Sequence, residues 1–552
     1  MVNDLVLTGG TVVDGTGAPG SVADVGVADG RITEIGSGIT GAERIDVSGR
    51  LIAPGFVDIH THYDPQVLWD PRLTPSSWHG VTSVVAGNCG FSLAPAAAAT
   101  RGSLLGTLDK VEDMPLATLE AGVEWDFETY PEYLDAIARR GVALNFGGYV
   151  GHTAVRVYVM GDDAYEREAK PEEIDAMRRI VASSIEAGAL GFSTDRAGFI
   201  LGDGGRLVPS MAASQDEVEA LLRVPGEIGK GIVHIAPGEN YGWVFDFQRA
   251  TGIRVNWSSI LTFPASVTSR THWSEKLGAH VEARAGGADI WVQVTCRPIV
   301  QLVQMREPTP FGRVPIFGEL LKRPEADRAA FYADPEWQAK AAAELDGFTS
   351  FDPGWDTFLV AESDEPEHAA LLGRSVADLG RERGCHPFEV VCDVALASKL
   401  LARFSITFAN HDLEGVAALL QGEGTILGLS DAGAHGGQIC DAVLPTDFLS
   451  RWVRDRGVMP LEQGIRKLTG ELADVLGVDR GYLRPGSPAD VVVLDYESLD
   501  PGPIRRVADL PAGGNRLIAD APAGVDHVFV NGVAIRRDHN DVDATPGQIL
   551  RS

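Results

Sequence analysis

The chain has 552 residues, 44% of them hydrophobic, which allows one large domain with a smaller companion and a sizeable buried core. Lys and Arg number 47 against 77 Asp and Glu; the net charge of -30 excludes binding nucleic acid or an anionic membrane through a general basic surface. Five cysteines at irregular spacing (Cys89, Cys296, Cys385, Cys392, Cys440) exclude a disulfide framework as the organising device.

The first residues, Val2-Asn-Asp-Leu5, carry no charged segment leading into an apolar one, and no apolar run in the chain approaches the ~20 residues that span a bilayer. A soluble, cytoplasmic protein is expected. Short strand-like runs follow: Asp4 to Thr8, Thr11 to Asp14, Asp24 to Val27, Arg31 to Ile35 and Glu43 to Val47. Gly9-Gly10, Asp29-Gly30 and Ser48-Gly49 are the turn signals between them. The same texture returns in Ala489 to Asp495 and Asp526 to Ile535, the latter containing Asn531-Gly532. Residues 1–54 and 481–552 are therefore expected to pair into one small discontinuous β-sandwich domain, with the C-terminal tail attached.

From Gly55 onward, apolar runs alternate with helical stretches, the signature of repeated βα units on a parallel sheet. Eight strands are predicted: 55–62, 81–89, 143–150, 190–194, 232–236, 254–260, 289–295 and 425–430. That count gives a (β/α)8 TIM-type barrel over 55–480, in an α/β chain, with an insertion at about 297–424. Helices are predicted over 171–187, with Pro171 in the first turn and Gly188 past the end, and over 214–229.

In such barrels the functional groups collect at the C-terminal strand ends. The first strand ends in Gly55-Phe-Val-Asp-Ile-His-Thr-His62; residues i and i+2 of a strand share a face, so His60 and His62 point the same way, with Asp58 in phase below. The second ends in Gly87-Asn-Cys-Gly90, the third in Gly151-His152, and the fifth carries His234. The eighth ends in Leu429-Ser-Asp431, bringing Asp431 to the rim. Imidazole, thiolate and carboxylate are the ligands of Zn2+, and a catalytic zinc brings the pKa of its bound water near ~7. A carboxylate beside it can move the water's proton to a leaving amine. His60, His62, Cys89, His234 and Asp431 supply those parts.

These segments, with Gly80 to Ser92 and Leu483-Arg-Pro-Gly-Ser-Pro-Ala-Asp490, resemble the amidohydrolase superfamily, most closely its D-aminoacylase (N-acyl-D-amino-acid deacylase) branch. The resemblance implies that His60 and His62 bind one metal, Cys89 bridges or binds a second, His234 binds the second, and Asp431 is the general acid/base that also touches the first. It implies a zinc-dependent hydrolase of a C–N amide bond in an N-acyl-D-amino acid or related N-acyl compound, with one or two Zn2+ ions. One departure stands out: a histidine expected after strand six aligns with Ser259, and the lysine expected to hold a substrate carboxylate aligns with Leu261. The second metal is then weakened or lost, and the substrate need not be a simple N-acyl-D-amino acid. His272 and His280 could substitute, although both are expected to be exposed. Arg196 and Arg297 are candidate anion anchors, with Ser259 beside them. The alternatives are a single-metal cyclic amidohydrolase or deaminase-type enzyme, and a silent barrel acting as an assembly protein. The partner expected is a small N-acyl or amide molecule, with neither nucleic acid nor membrane; the chain suits a homo-oligomer.

Overall fold

A computed structural model describes residues 2–198, 200–350 and 352–552. The chain divides into two compact units, one of Met1–Ile260, Leu277–Cys296 and Ala417–Ser552, the other of Leu261–Lys276 and Arg297–Val416. Among the described residues no helix is long and apolar enough to cross a membrane.

The first unit contains an eight-stranded parallel sheet: β1 (Phe56–Asp58), β2 (Val81–Ala86), β3 (Asn145–Gly151), β4 (Gly191–Asp195), β5 (Ile232–Ala236), β6 (Val255–Ser258), β7 (Ile290–Val294) and β8 (Thr425–Leu427). Spatial order follows chain order from β1 to β8. All residues of β2, β3, β4 and β5 are buried, as parallel strands covered on both faces must be. The two outermost strands meet through a parallel bridge between Thr61 and Ala432, so the sheet curls into a TIM-like barrel. The predicted first strand ran to His62, but the ladder stops at Asp58. Beyond it Thr61 N–H donates to Val85 of β2 (3.0 Å) while His62 N–H donates to Ala432 (2.8 Å). The backbone there divides its hydrogen bonds between two neighbours instead of continuing one ladder.

The two terminal segments build a nine-stranded sheet, in which Leu51–Pro54 runs antiparallel to Val491–Leu494 with Ile52 opposite Val493. Its core gathers Leu7, Val25, Ile52, Val491 and Val493. Asp29-Gly30 (φ 51° and 72°) and Asn531-Gly532 (φ 48° and 79°) turn with both residues left-handed, the geometry of tight hairpins with a type I′ twist. The last residues follow β3: Phe146 N–H donates to Gln548 O and Leu550 N–H to Phe146 O. Here Asn145 is the polar junction. Its Nδ2 donates to Thr82 O (3.1 Å) and Asp490 Oδ2 (2.8 Å), and its Oδ1 accepts from Asn531 Nδ2 (2.9 Å).

Local signals explain the helices. Pro171–Glu186 begins at its proline as predicted. The single helix predicted over 214–229 is instead two, Gln215–Leu222 capped by Ser214 and Val224–Ile228. Pro225, which has no N–H and clashes with the preceding turn, accounts for the break.

The second unit holds a three-stranded antiparallel sheet, Ile299–Gln304 and Leu359–Glu362 flanking Arg403–Ala409. It has a hydrophobic core of its own that includes Phe311, Phe317, Tyr332, Phe358, Phe388 and Phe404. It also takes Leu261–Lys276, a stretch before the predicted insertion.

Because Asn145 is fully buried and five partners, Thr82, Ser83, Asp490, Asn531 and Gln548, lose hydrogen bonds with it, Asn145→Ala should destabilise the fold by about 2–4 kcal/mol. The exposed Asn540→Ala should stay within about 0.5 kcal/mol. Thermal melts of the two variants check this contrast.

Candidate metal centre

His60 and His62 face the same way with ring centroids 5.4 Å apart, and the Thr61 hydroxyl between them turns the other way to donate to Val85 O (2.9 Å). Both imidazoles are buried, at 1% and 4% exposure. The protonation of His60 can be deduced from its neighbours. Gln293 Nε2 donates to Asn256 Oδ1 (3.2 Å), which turns Gln293 Oε1 toward His60 Nδ1 at 2.5 Å. An amide oxygen only accepts, so Nδ1 carries the hydrogen and Nε2 presents a lone pair.

That lone pair faces other acceptors. His60 Nε2 lies 3.2 Å from Asp431 Oδ1 and 3.5 Å from Cys89 Sγ, and His62 Nε2 is 3.7 Å from the same Asp431 oxygen. His234 joins from β5, its ring 5.4 Å from that of His60 and its Nδ1 accepting from Cys89 N–H (3.2 Å). Buried His234 Nε2 has no hydrogen-bond partner. Two groups emerge, His60–His62–Asp431 and His60–Cys89–His234, each with ligand atoms within 4.8 Å of one another. Two imidazoles, a carboxylate and an imidazole–thiol pair converging in a buried pocket are the ligand types of Zn2+, so this donor set fits a divalent ion. Burial holds the His60 imidazolium down to about 4, and keeps His62 and His234 well below the ordinary histidine range, helped by the neighbouring imidazoles. Neutral imidazole is the form that binds metal. Burial pushes the Asp431 carboxyl and the Cys89 thiol up, the latter further because Asp195, Asp431 and Glu112 lie nearby.

The backbone that presents these groups is unusual. Cys89 (φ 55°) and Asp431 (φ 45°) both sit in the left-handed region, which costs a non-glycine residue about 1–2 kcal/mol. Cys89 lies three residues past the end of β2 and Asp431 four past the end of β8, in the short turns that bring their side chains near His60. Behind them Ser430 Oγ lies 2.6 Å from Asp58 Oδ2, and burial raises the Asp58 carboxyl to about 7.

The remaining sequence candidates are placed elsewhere. Ser259 follows the last residue of β6. His280, expected to be exposed, is fully buried; its Nδ1 accepts from Trp257 Nε1 (3.3 Å) and its Nε2 donates to Gly424 O (3.2 Å). Both ring nitrogens are used, so it is a core residue and no substitute ligand. His272 is exposed as expected. Arg196 holds a loop through the Ser210 (2.5 Å) and Ala213 (3.0 Å) carbonyls. Arg297 opens the second unit, where its carbonyl accepts from Asn410 Nδ2 (3.2 Å). His152, at the end of the third strand, pairs with Glu217 (3.0 Å) and the Thr194 hydroxyl (2.8 Å).

Two residues outside the predicted set complete the centre. Gln293 carried a legible signal, a lone amide inside the apolar run Ile290–Val294. Glu112 carried none. It caps the helix Arg101–Val111, is 2% exposed, and places Oε1 3.2 Å from His62 Nδ1 and Oε2 3.9 Å from His435 Nε2. Burial and the carboxylates Asp431, Asp64 and Asp195 raise its carboxyl well above the usual range.

Comparison with known proteins agrees with this geometry. The chain is 30% identical to the N-acyl-D-glutamate deacylase of Alcaligenes xylosoxydans xylosoxydans, covering 99% of this chain and 96% of that protein. The structure of an N-acyl-D-glutamate deacylase from Bordetella bronchiseptica, complexed with zinc and a phosphonate mimic of the tetrahedral intermediate, matches over the whole of both chains with a TM-score of 0.68 at 27% identity. A D-aminoacylase with a binuclear metal center, described by one-metal activation and second-metal attenuation, matches over both chains with a TM-score of 0.69 at 28% identity. The amidohydrolase family model covers residues 43–535, and this chain is a member of that family.

Proposed function

We propose that the chain hydrolyses the amide bond of an N-acyl-D-amino acid or a related N-acyl compound in the cytoplasm, with His60, His62, Cys89, His234 and Asp431 as metal ligands. The observation that carries this reading is the convergence of an imidazole nitrogen, a carboxylate oxygen and a cysteine sulfur, with Asp431 Oδ1 3.2 Å and Cys89 Sγ 3.5 Å from His60 Nε2. A bound zinc ion would polarise the amide carbonyl and acidify a coordinated water. Asp431, 19% exposed at the barrel mouth, takes the water's proton on its carboxylate and passes it to the departing nitrogen. Gln293 keeps His60 in one tautomer, and Glu112 brings a carboxyl oxygen to 3.2 Å from His62 Nδ1, the side of the ring away from the ligand group, where outer carboxylates act on metal-binding histidines.

In this reading the Cys89–His234 group holds its ion the more weakly, because Ser259 brings a hydroxyl where related chains would bring an imidazole. Residues 1–54 and 481–552 act as one β-sandwich-type domain beside the barrel of 55–480. The partner is a small amide molecule and no nucleic acid or membrane; the acidic chain suits a homo-oligomer. A silent assembly protein would not need the strained Cys89 and Asp431 backbones, so the enzyme reading is the stronger.

Asp431→Asn should lower kcat by about 10²–10⁴ on a responsive N-acyl-D-amino acid, the usual worth of a positioned acid/base group. Wild-type activity without bound zinc after chelator-free purification, or an Asp431→Asn variant as active as wild type, sinks the assignment. Glu112→Gln should weaken zinc retention about 10–100-fold in competition with a chelator. An unchanged competition curve would remove Glu112 from the centre.

A further inference from the structure

A cavity open at its mouth borders Asp431. Its walls come from four separate segments: the loops after β1, β2 and β8, and the hairpin whose strands are Ile504–Val507 and Arg516–Ala519. The hairpin is tied down at its turn, where Thr118 Oγ1 donates to Pro511 O (3.0 Å). Trp69, Ile439, Leu510 and Leu517 line the cavity only half-buried, and Met114 lies behind them at 6% exposure. Apolar side chains that share a concave wall next to a reactive carboxylate are surface a ligand can still cover.

The charges in the wall decide what kind of ligand. Asp113, Asp431 and Asp441 contribute carboxylates, and Arg516 is the cation among the lining residues. Arg516 uses four of its five N–H donors: Nε and Nη2 donate to the two Asp509 oxygens (3.0 and 2.9 Å), Nη1 to Thr74 O (2.8 Å), and Nη2 also to Thr74 Oγ1 (3.1 Å). A carboxylate placed here would meet three acids and a guanidinium already paired with Asp509. A hydrocarbon group would meet indole, thioether and aliphatic carbon.

We propose that this cavity seats an uncharged hydrocarbon substituent of the scissile amide, and that the hairpin of residues 504–519 takes part in substrate recognition. The proposal rests on the hydrolase reading only for what carries the substituent. An acyl chain and an amino-acid side chain offer the same chemistry, so two substrate series separate them. One lengthens the acyl group from acetyl through butanoyl to hexanoyl on a single D-amino acid; the other lengthens the side chain from D-alanine to D-norleucine under a constant acetyl group. In the series whose group enters the cavity, kcat/KM should rise by about fourfold per methylene. Ile439→Trp, which fills the space, and Leu510→Asp, which adds a fourth carboxylate, should each flatten that slope. Flat slopes in both wild-type series, or slopes that survive both substitutions, overturn the proposal; the wild-type series needs no variant to fold. Calorimetry with hexanamide and acetamide reads the cavity without turnover. Hexanamide should bind the purified protein more tightly, and Ile439→Trp should weaken it by about tenfold. Equal binding of the two amides overturns the cavity assignment, whereas preferential hexanamide binding by a protein that hydrolyses none of the substrates overturns the hydrolase reading and leaves the cavity standing.

Discussion

The structure depends on a crowd of buried lone pairs. His60 Nε2, Asp431 Oδ1 and Cys89 Sγ point at one spot, and Gln293 holds the His60 proton on the far side of that ring. Such a cluster is unfavourable in a low-dielectric interior until a cation neutralises it. The surrounding architecture keeps the cluster from relaxing. Asn256 fixes Gln293, Glu112 stands behind His62, and Ser430 clasps Asp58 beneath the first strand.

Barrel closure brings the cluster together. Asp431 follows β8 and His60 follows β1, 371 positions earlier in the chain, yet Ser430 Oγ reaches His60 O at 2.9 Å. The bridge from Thr61 to Ala432 makes these strand ends neighbours. The chemistry is thereby tied to the topology: His60 and Asp431 are neighbours only while the β1–β8 seam is closed.

Much of this was legible in the amino acids. The eight parallel strands were visible as apolar runs, because a strand covered on both faces has no polar alternation to obscure it. The His60–His62 pair was visible because period two is short enough to read directly. What stayed hidden depended on distance or on backbone. Glu112 sits in a long excursion after β2 and touches His62 only in three dimensions. His280 looked like an exposed helix residue, since nothing in its neighbourhood announced that Trp257 would bury it. The left-handed turns at Cys89 and Asp431 also escaped notice, because neither residue type advertises that conformation as glycine does.

The pairing of Leu51–Pro54 with Val491–Leu494 carries a consequence for biosynthesis. A ribosome adding about 5–20 residues per second delivers the second strand tens of seconds after the first. During that interval the apolar edge Leu51–Pro54 waits without its mate, beside a growing barrel that still lacks its eighth stave. Nascent chains of this enzyme are thus exposed to wrong partners for most of their translation, and the cell's holding chaperones become part of how such a fold is reached.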